Sequence, residues 1–191
     1  MPYRAFVSST FKDLEHHRNH VLDALLDAGF DVDPMERWTA DTDAPKQFSQ
    51  DRIEGCDLCI LLVAFRRGHV PVGEALSITQ MEYAKAKELG CDVLVFMAKE
   101  SADWPEEFDK RGSDPLLGEW RQSFSEVKGL GFFDANPESI KIAPALTRWV
   151  EKQQPKAKEA KQKTVQNFYG AVYGVAGNVE GDQVINVPPV G

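Results

Sequence analysis

Only three cysteines, Cys56, Cys59 and Cys91, occur in this chain of 191 residues. A sparse, odd set cannot supply the disulfide framework of a small secreted domain, and two of the three fall in apolar stretches, as expected for a reducing compartment. Positive charge is scarce too. Against 30 Asp and Glu there are 22 Lys and Arg, a formal net charge of −8, and neutralising phosphates takes a concentrated basic surface, so no nucleic-acid partner is expected. No apolar run approaches a membrane span, and Met1-Pro2-Tyr3-Arg4 lacks a charged segment followed by an apolar run, so no signal peptide is expected. A cytoplasmic protein is expected, with contact to a membrane surface left open. There is no Gly-rich loop ending in Gly-Lys-Ser/Thr and no Gly-x-Ser-x-Gly elbow, so P-loop ATP hydrolysis and serine-hydrolase chemistry are not expected.

What is present is enough apolar sequence, 42% of residues, for one sizeable core. Tyr3 to Ser8 reads as a strand, and Thr10 with Asp13 resembles a capping box before a helix with Leu14, Val21, Leu22, Leu25 and Leu26 on one face. Gly29 ends that helix, a short strand covers Phe30 to Val32, and a polar loop with Trp38 leads to a weaker helix from Pro45. Leu58 to Ala64 and Asp92 to Ala98 are nearly continuous apolar runs, the signature of strands covered on both faces. Between them lie a loop, Arg66 to Gly73, and a helix, Ser77 to Leu89. A helix from Leu116 to Val127, an edge strand from Leu130 to Phe133 and a last helix capped by Asn136-Pro137 complete the pattern. The order βαβαβαβ predicts an α/β fold: a parallel sheet flanked by helices, then a linker and a flexible C-terminal tail.

Parallel α/β sheets bind ligands at the carboxyl ends of their strands, where helix N-termini point N–H groups outward. Ser8, Ser9 and Thr10 follow the first strand there, Trp38 the second, and Arg66 and Arg67 the third, the arginine pair being suited to an anionic ligand. Glu82 lies about 40° from Ile78 and about 20° from Leu89 on a helical wheel, on the stripe that faces the sheet. A carboxylate there can act as a general base or stabilise an oxocarbenium ion when a glycosidic bond breaks. The alternative is structural: Thr79 to Glu82 also has capping-box spacing, and Lys85 one turn on is a ready ion-pair partner. His16 and His20, four apart beside Asp13, Glu15 and His17, lack a third metal ligand, so a solvated helix face and no metal are expected. Cys56 and Cys59 enter a strand, where residues three apart face opposite sides, so they read as small hydrophobes.

Phe6-Val7-Ser8-Ser9-Thr10-Phe11-Lys12-Asp13-Leu14, Met35-Glu36, Cys56-Asp57 before an apolar strand, and Ser77-Ile78-Thr79-Gln80-Met81-Glu82-Tyr83-Ala84 together resemble the TIR-like family catalogued as domain of unknown function 4062. The resemblance covers roughly residues 3 to 100 and implies a flavodoxin-like sheet, kinship with TIR domains and a role in signalling beside NLR-type ATPases. It also implies that Glu82 corresponds to the glutamate that cleaves an N-glycosidic bond in enzymatic TIR domains. NAD would then be a substrate, and no bound cofactor is expected. Two departures stand out: the Trp-Cys of many TIR domains is absent, and Phe65-Arg66-Arg67-Gly68 replaces a loop that usually carries Gly and Tyr around the arginine.

The chain is accordingly divided into a TIR-like domain, residues 1–152, a basic linker, 153–164, and a tail, 165–191. Tyr169, Gly170, Tyr173, Gly174, Gly177, Asn178, Val179, Gly181 and Gln183 lie in a segment that resembles the bacterial amyloid signalling motifs, and loosely the RHIM pattern. From Val165 to Val187 it has no proline and just two acidic residues, and its Asn and Gln can ladder between stacked chains. The resemblance implies a cytoplasmic effector or adaptor in a bacterial defence or regulated-death pathway. Its partners would be its own copies, assembled through the tail, and an NLR-type ATPase with a matching motif.

Overall fold

The computed structural model describes residues 2–32 and 53–153. The chain divides into two compact units, Met1–Trp149 and Val150–Gly191, and the described sheet lies wholly in the first. All six residues of one strand, Leu58–Val63, are buried, as a run without polar alternation requires. Numbered in chain order, the strands are β1 (Arg4–Ser8), β2 (Asp31–Val32), β3 (Leu58–Val63), β4 (Asp92–Ala98) and β5 (Gly131–Phe133). They form an all-parallel sheet in the order β2-β1-β3-β4-β5. The register sets Ala5 against Leu58 and Leu58 against Asp92. This is the flavodoxin-like order, in which strand succession reverses between β1 and β3 and leaves a crevice at their carboxyl ends.

The helices are α1 (Glu15–Asp27), α2 (Ile78–Glu88) and α3 (Pro115–Gln122), and residues 142–153 are also helical. The buried face of α1 carries His17, Arg18, Val21, Leu22 and Leu25. Its N-cap is Leu14, without a side-chain cap, so the box expected of Thr10 and Asp13 does not form. In α2 the cap belongs to Ser77. Its hydroxyl accepts from the Gln80 backbone N–H at 3.3 Å, and Gln80 Oε1 accepts from the Ser77 N–H at 2.9 Å. The alternative that made Glu82 a cap is thereby overturned, and Lys85 pairs with Glu88 at 3.0 Å. Asn136 caps a single turn, Pro137–Ser139, through the N–H of Glu138, whereas the last helix begins only at residue 142.

Along one face of β3, Cys59 packs with Phe6, Ile53, Ala86 and Cys91, while Leu61 and Val63 pack with Val95 and Phe124. The three cysteines are free thiols. Burial pushes Cys59 well above its ordinary range and Cys91 up to about 12, so both stay protonated, as expected of small hydrophobes. At the β5 edge Gly131 lies against Phe96, and a Cβ there would run into the phenyl ring. Only glycine lets the strand close on β4. Among the described residues no helix is long and apolar enough to cross a membrane.

Candidate functional site

The crevice between the carboxyl ends of β1 and β3 is where the sheet geometry directs ligands, and several expected residues meet there. Ser8 ends β1, and Glu82 stands one turn inside α2. The Ser8 hydroxyl donates to Glu82 Oε2 at 2.6 Å, with the two residues only 1% and 2% exposed. A hydroxyl–carboxylate bond this short in a dry setting is strong, and it fixes where the carboxylate sits. The next residue, Ser9, accepts at Oγ from Arg18 Nη1 at 2.8 Å and donates to the Thr10 carbonyl at 2.7 Å. The same guanidinium nitrogen donates to the Val7 carbonyl at 3.2 Å. Arg18, itself 1% exposed, therefore braces the end of β1 from beneath.

The loop after β3 closes over this floor. Gly68 has φ of +87°, and a Cβ on it would come within 2.9 Å of Thr10 Cγ2 and 3.6 Å of Thr79 Oγ1. One residue on, the His69 carbonyl accepts the Ile78 N–H at 2.9 Å. The loop is thus held to the start of α2, and glycine alone permits both its handedness and its closeness.

Beside this pair lies a second buried carboxylate. The Asp13 side chain is 0% exposed, and its Oδ1 is 3.8 Å from Arg66 Nε. Burial pushes the Asp13 carboxyl above its ordinary value, against the opposing pull of Thr10 and Arg66. Arg66 also lies over the Phe108 ring, 5.7 Å from its centroid. Arg67 Nε donates to Asp114 Oδ2 at 2.7 Å, while Asp114 Oδ1 accepts the Leu117 N–H that opens α3. The Lys110 N–H donates to the Phe65 carbonyl at 2.9 Å. These ties draw residues 102–114 across the end of β3. Trp104 fills the space beneath, edge-on to Phe65 at 5.5 Å and tilted against His17 at 5.5 Å. His17 Nε2 carries the proton it donates to the Asp134 carbonyl at 2.9 Å, since a carbonyl can only accept. Burial lowers the pKa of His17.

Ser8, Ser9, Thr10, Glu82 and Arg66 are therefore brought to one corner of the sheet, while Arg67 is turned to Asp114. Trp38 and the assembly-motif residues, Tyr169 to Gln183, lie outside the described residues. Sequence reasoning missed Arg18, although Leu14, Arg18, Val21 and Leu25 follow a helical stripe. It also read Asp13 and His17 as solvated, whereas both side chains point inward. Among the described residues no three His, Cys, Asp or Glu side chains gather as a metal would require.

Asp13 makes a pH test available. An acid whose folded pKa is raised contributes stability below its ordinary value of 3.8 and loses it as pH rises through the folded value. Asp13→Asn cannot ionise, so relative to wild type the variant is expected to gain stability between acid and neutral pH. Thermal unfolding at pH 4 and pH 7 reads this as the difference between the two proteins. The Asp13 charge also helps to raise the pKa of His17, so the same comparison is made in a His17→Gln background, where only Asp13 titrates. An offset equal at both pH values would show that Asp13 titrates as an ordinary surface acid.

A cavity of about 410 Å3 lies elsewhere, lined by Met97, Leu117, Leu130 and Phe132 with Arg111 and Arg121. It shares no lining residue with the Glu82 corner. Arg121 is bound to Glu100 and to the carbonyls of Ala64 and Ala98, at 2.9 and 2.7 Å.

A family model described as a domain of unknown function, DUF4062, matches residues 4–173, so the chain belongs to that family. Comparison with curated proteins gives no match.

Proposed function

From a member of this family whose parallel sheet carries a buried acid at its switch point, we propose a nucleotide-cleaving effector: a TIR-like domain that hydrolyses the N-glycosidic bond of NAD or a related nucleotide. In this reading the C-terminal tail gathers copies of the chain onto an NLR-type ATPase with a matching motif, within a bacterial defence or regulated-death pathway. The observation that carries the chemistry is the Ser8–Glu82 hydrogen bond of 2.6 Å at the end of β1. It fixes a carboxylate where the fold directs ligands.

Chemically, the C1′–N bond breaks with its electron pair leaving on nicotinamide. Glu82 stabilises the ribosyl cation electrostatically, and water adds at C1′ with release of a proton. Glu82 is 2% exposed, so substrate entry requires the cover formed by Gly68 and residues 102–114 to open. Self-assembly of the tail supplies a reason for opening, and the resting single chain is then inactive.

The test uses the full chain and a chain ending at residue 164, each incubated with NAD over a range of protein concentrations. Nicotinamide release and thioflavin response are recorded together. The full chain is expected to form fibrils and to release nicotinamide more than in proportion to its concentration, while the shortened chain does neither. Fibrils without nicotinamide would leave the adaptor role and remove the hydrolase. Turnover that is strictly proportional and identical in both chains would remove the assembly switch.

A further inference from the structure

Buried polar atoms are normally hydrogen-bonded, and those left over in a native fold mark a missing partner. Close to the Glu82 corner such atoms cluster. Both oxygens of Asp13, the Thr10 hydroxyl and the Trp104 indole N–H are buried without a partner at full hydrogen-bond geometry among the described residues, the Thr10 hydroxyl lying near enough to Asp13 only to draw its pKa down. Asp13 is the most demanding of them, since a carboxylate offers about four acceptor sites. Its nearest cation, Arg66 Nε at 3.8 Å, balances the charge but stands beyond hydrogen-bond distance.

That arrangement constrains the missing partner. With Arg66 already opposite Asp13, a cationic ligand would meet the guanidinium and an anionic one the carboxylate, so the partner is neutral there. It must donate to two carboxylate oxygens side by side and can also exchange a hydrogen bond with the Thr10 hydroxyl. Two adjacent hydroxyl groups do this. Carboxylates at the carboxyl ends of parallel strands hold ribose hydroxyls in the same manner in dinucleotide-binding folds. Access is set by Arg66, whose side chain is 29% exposed and rests on the Phe108 ring. A long side chain held by one ring and one carboxylate can swing outward at small cost.

We propose that Asp13, with Thr10, forms a subsite for the vicinal diol of a ribose, covered by Arg66 until the ligand enters. The subsite rests on the reading that this crevice takes a nucleotide, and it names the part of the nucleotide that is recognised.

Calorimetric titration of the full chain with adenosine 5′-monophosphate and with its 2′,3′-dideoxy analogue tests it. Wild type and the Glu82→Gln variant are expected to bind the ribonucleotide about tenfold more tightly than the dideoxy form or better. Asp13→Asn is expected to bind the two equally. Thr10→Val, which keeps the branched shape and removes only the hydroxyl, is expected to reduce the preference, and it carries the test if Asp13→Asn fails to fold. Equal binding of the two nucleotides by wild type, binding of neither, or a preference that survives Asp13→Asn overturns the subsite. Glu82-dependent release of nicotinamide from NAD alongside equal binding overturns the subsite and leaves the proposed hydrolysis standing. A preference for the ribonucleotide in a chain that releases no nicotinamide keeps the subsite and removes the hydrolysis.

Discussion

Glu82→Gln is expected to lower nicotinamide release from NAD by at least about a hundredfold, the scale on which a single electrostatic contact to a developing charge acts. The substitution is close to isosteric. The amide oxygen of glutamine can still accept the Ser8 hydroxyl that now reaches Glu82 Oε2 at 2.6 Å, so the packing at the end of β1 should persist. What disappears is the negative charge. A ribosyl cation is stabilised by a full carboxylate and far less by an amide dipole, so the loss should fall on kcat rather than on KM. Nicotinamide release at saturating NAD, read beside the unfolding temperature, separates the chemical role from a structural one. Unchanged turnover in a folded variant would return Glu82 to a purely structural tie with Ser8.

The second large effect concerns stability. Arg18→Ala is expected to lower the folding free energy by about 3 kcal/mol, from lost packing and from acceptors left without their donor. For a domain of this size that is roughly 6–12 °C in the unfolding temperature. The guanidinium serves the Val7 carbonyl and Ser9 Oγ inside the protein. Alanine supplies no donor, and the site is too enclosed for water to replace it readily, Arg18 being 1% exposed. Arg18→Lys keeps charge without the planar fork, so an intermediate loss is expected. Thermal unfolding of the three proteins at one ionic strength checks the order. A fall of under 1 kcal/mol for alanine would mean that the end of β1 holds itself in place.

Strands β3 and β4 were legible because Leu58 to Val63 and Val93 to Ala98 contain almost no polar residue, and a buried parallel strand has no other way to look. The Ser77 start of α2 was legible in position but not in mechanism. Thr79 and Glu82 have the spacing of a capping box, yet Ser77 and Gln80 have it as well, and spacing alone cannot say which serine or threonine precedes the first helical φ. The sheet-facing placement of Glu82 followed from helical periodicity. Its partner did not, because Ser8 is 74 residues away. Arg18 was passed over, and Asp13 and His17 were misplaced by a rule that sends charge to the surface, a rule that fails where a strand end and its following loop leave backbone groups to be satisfied. Trp104 lay in an irregular stretch, and only its ring contacts with Phe65, His17 and Phe133 reveal that it fills the end of the sheet.

The Ser77 capping box gives the chain an address system. Because Ser77 and Gln80 fix the first residue of α2, the orientation of Glu82 is counted from that point, about 100° for each residue. One residue inserted between Ile78 and Glu82 would turn the carboxylate away from Ser8. Residues added between Pro71 and Leu76 would not change the count, provided that the bond from the Ile78 N–H to the His69 carbonyl still closes the loop. The loop can therefore vary in length and composition while the acid stays at the same coordinate.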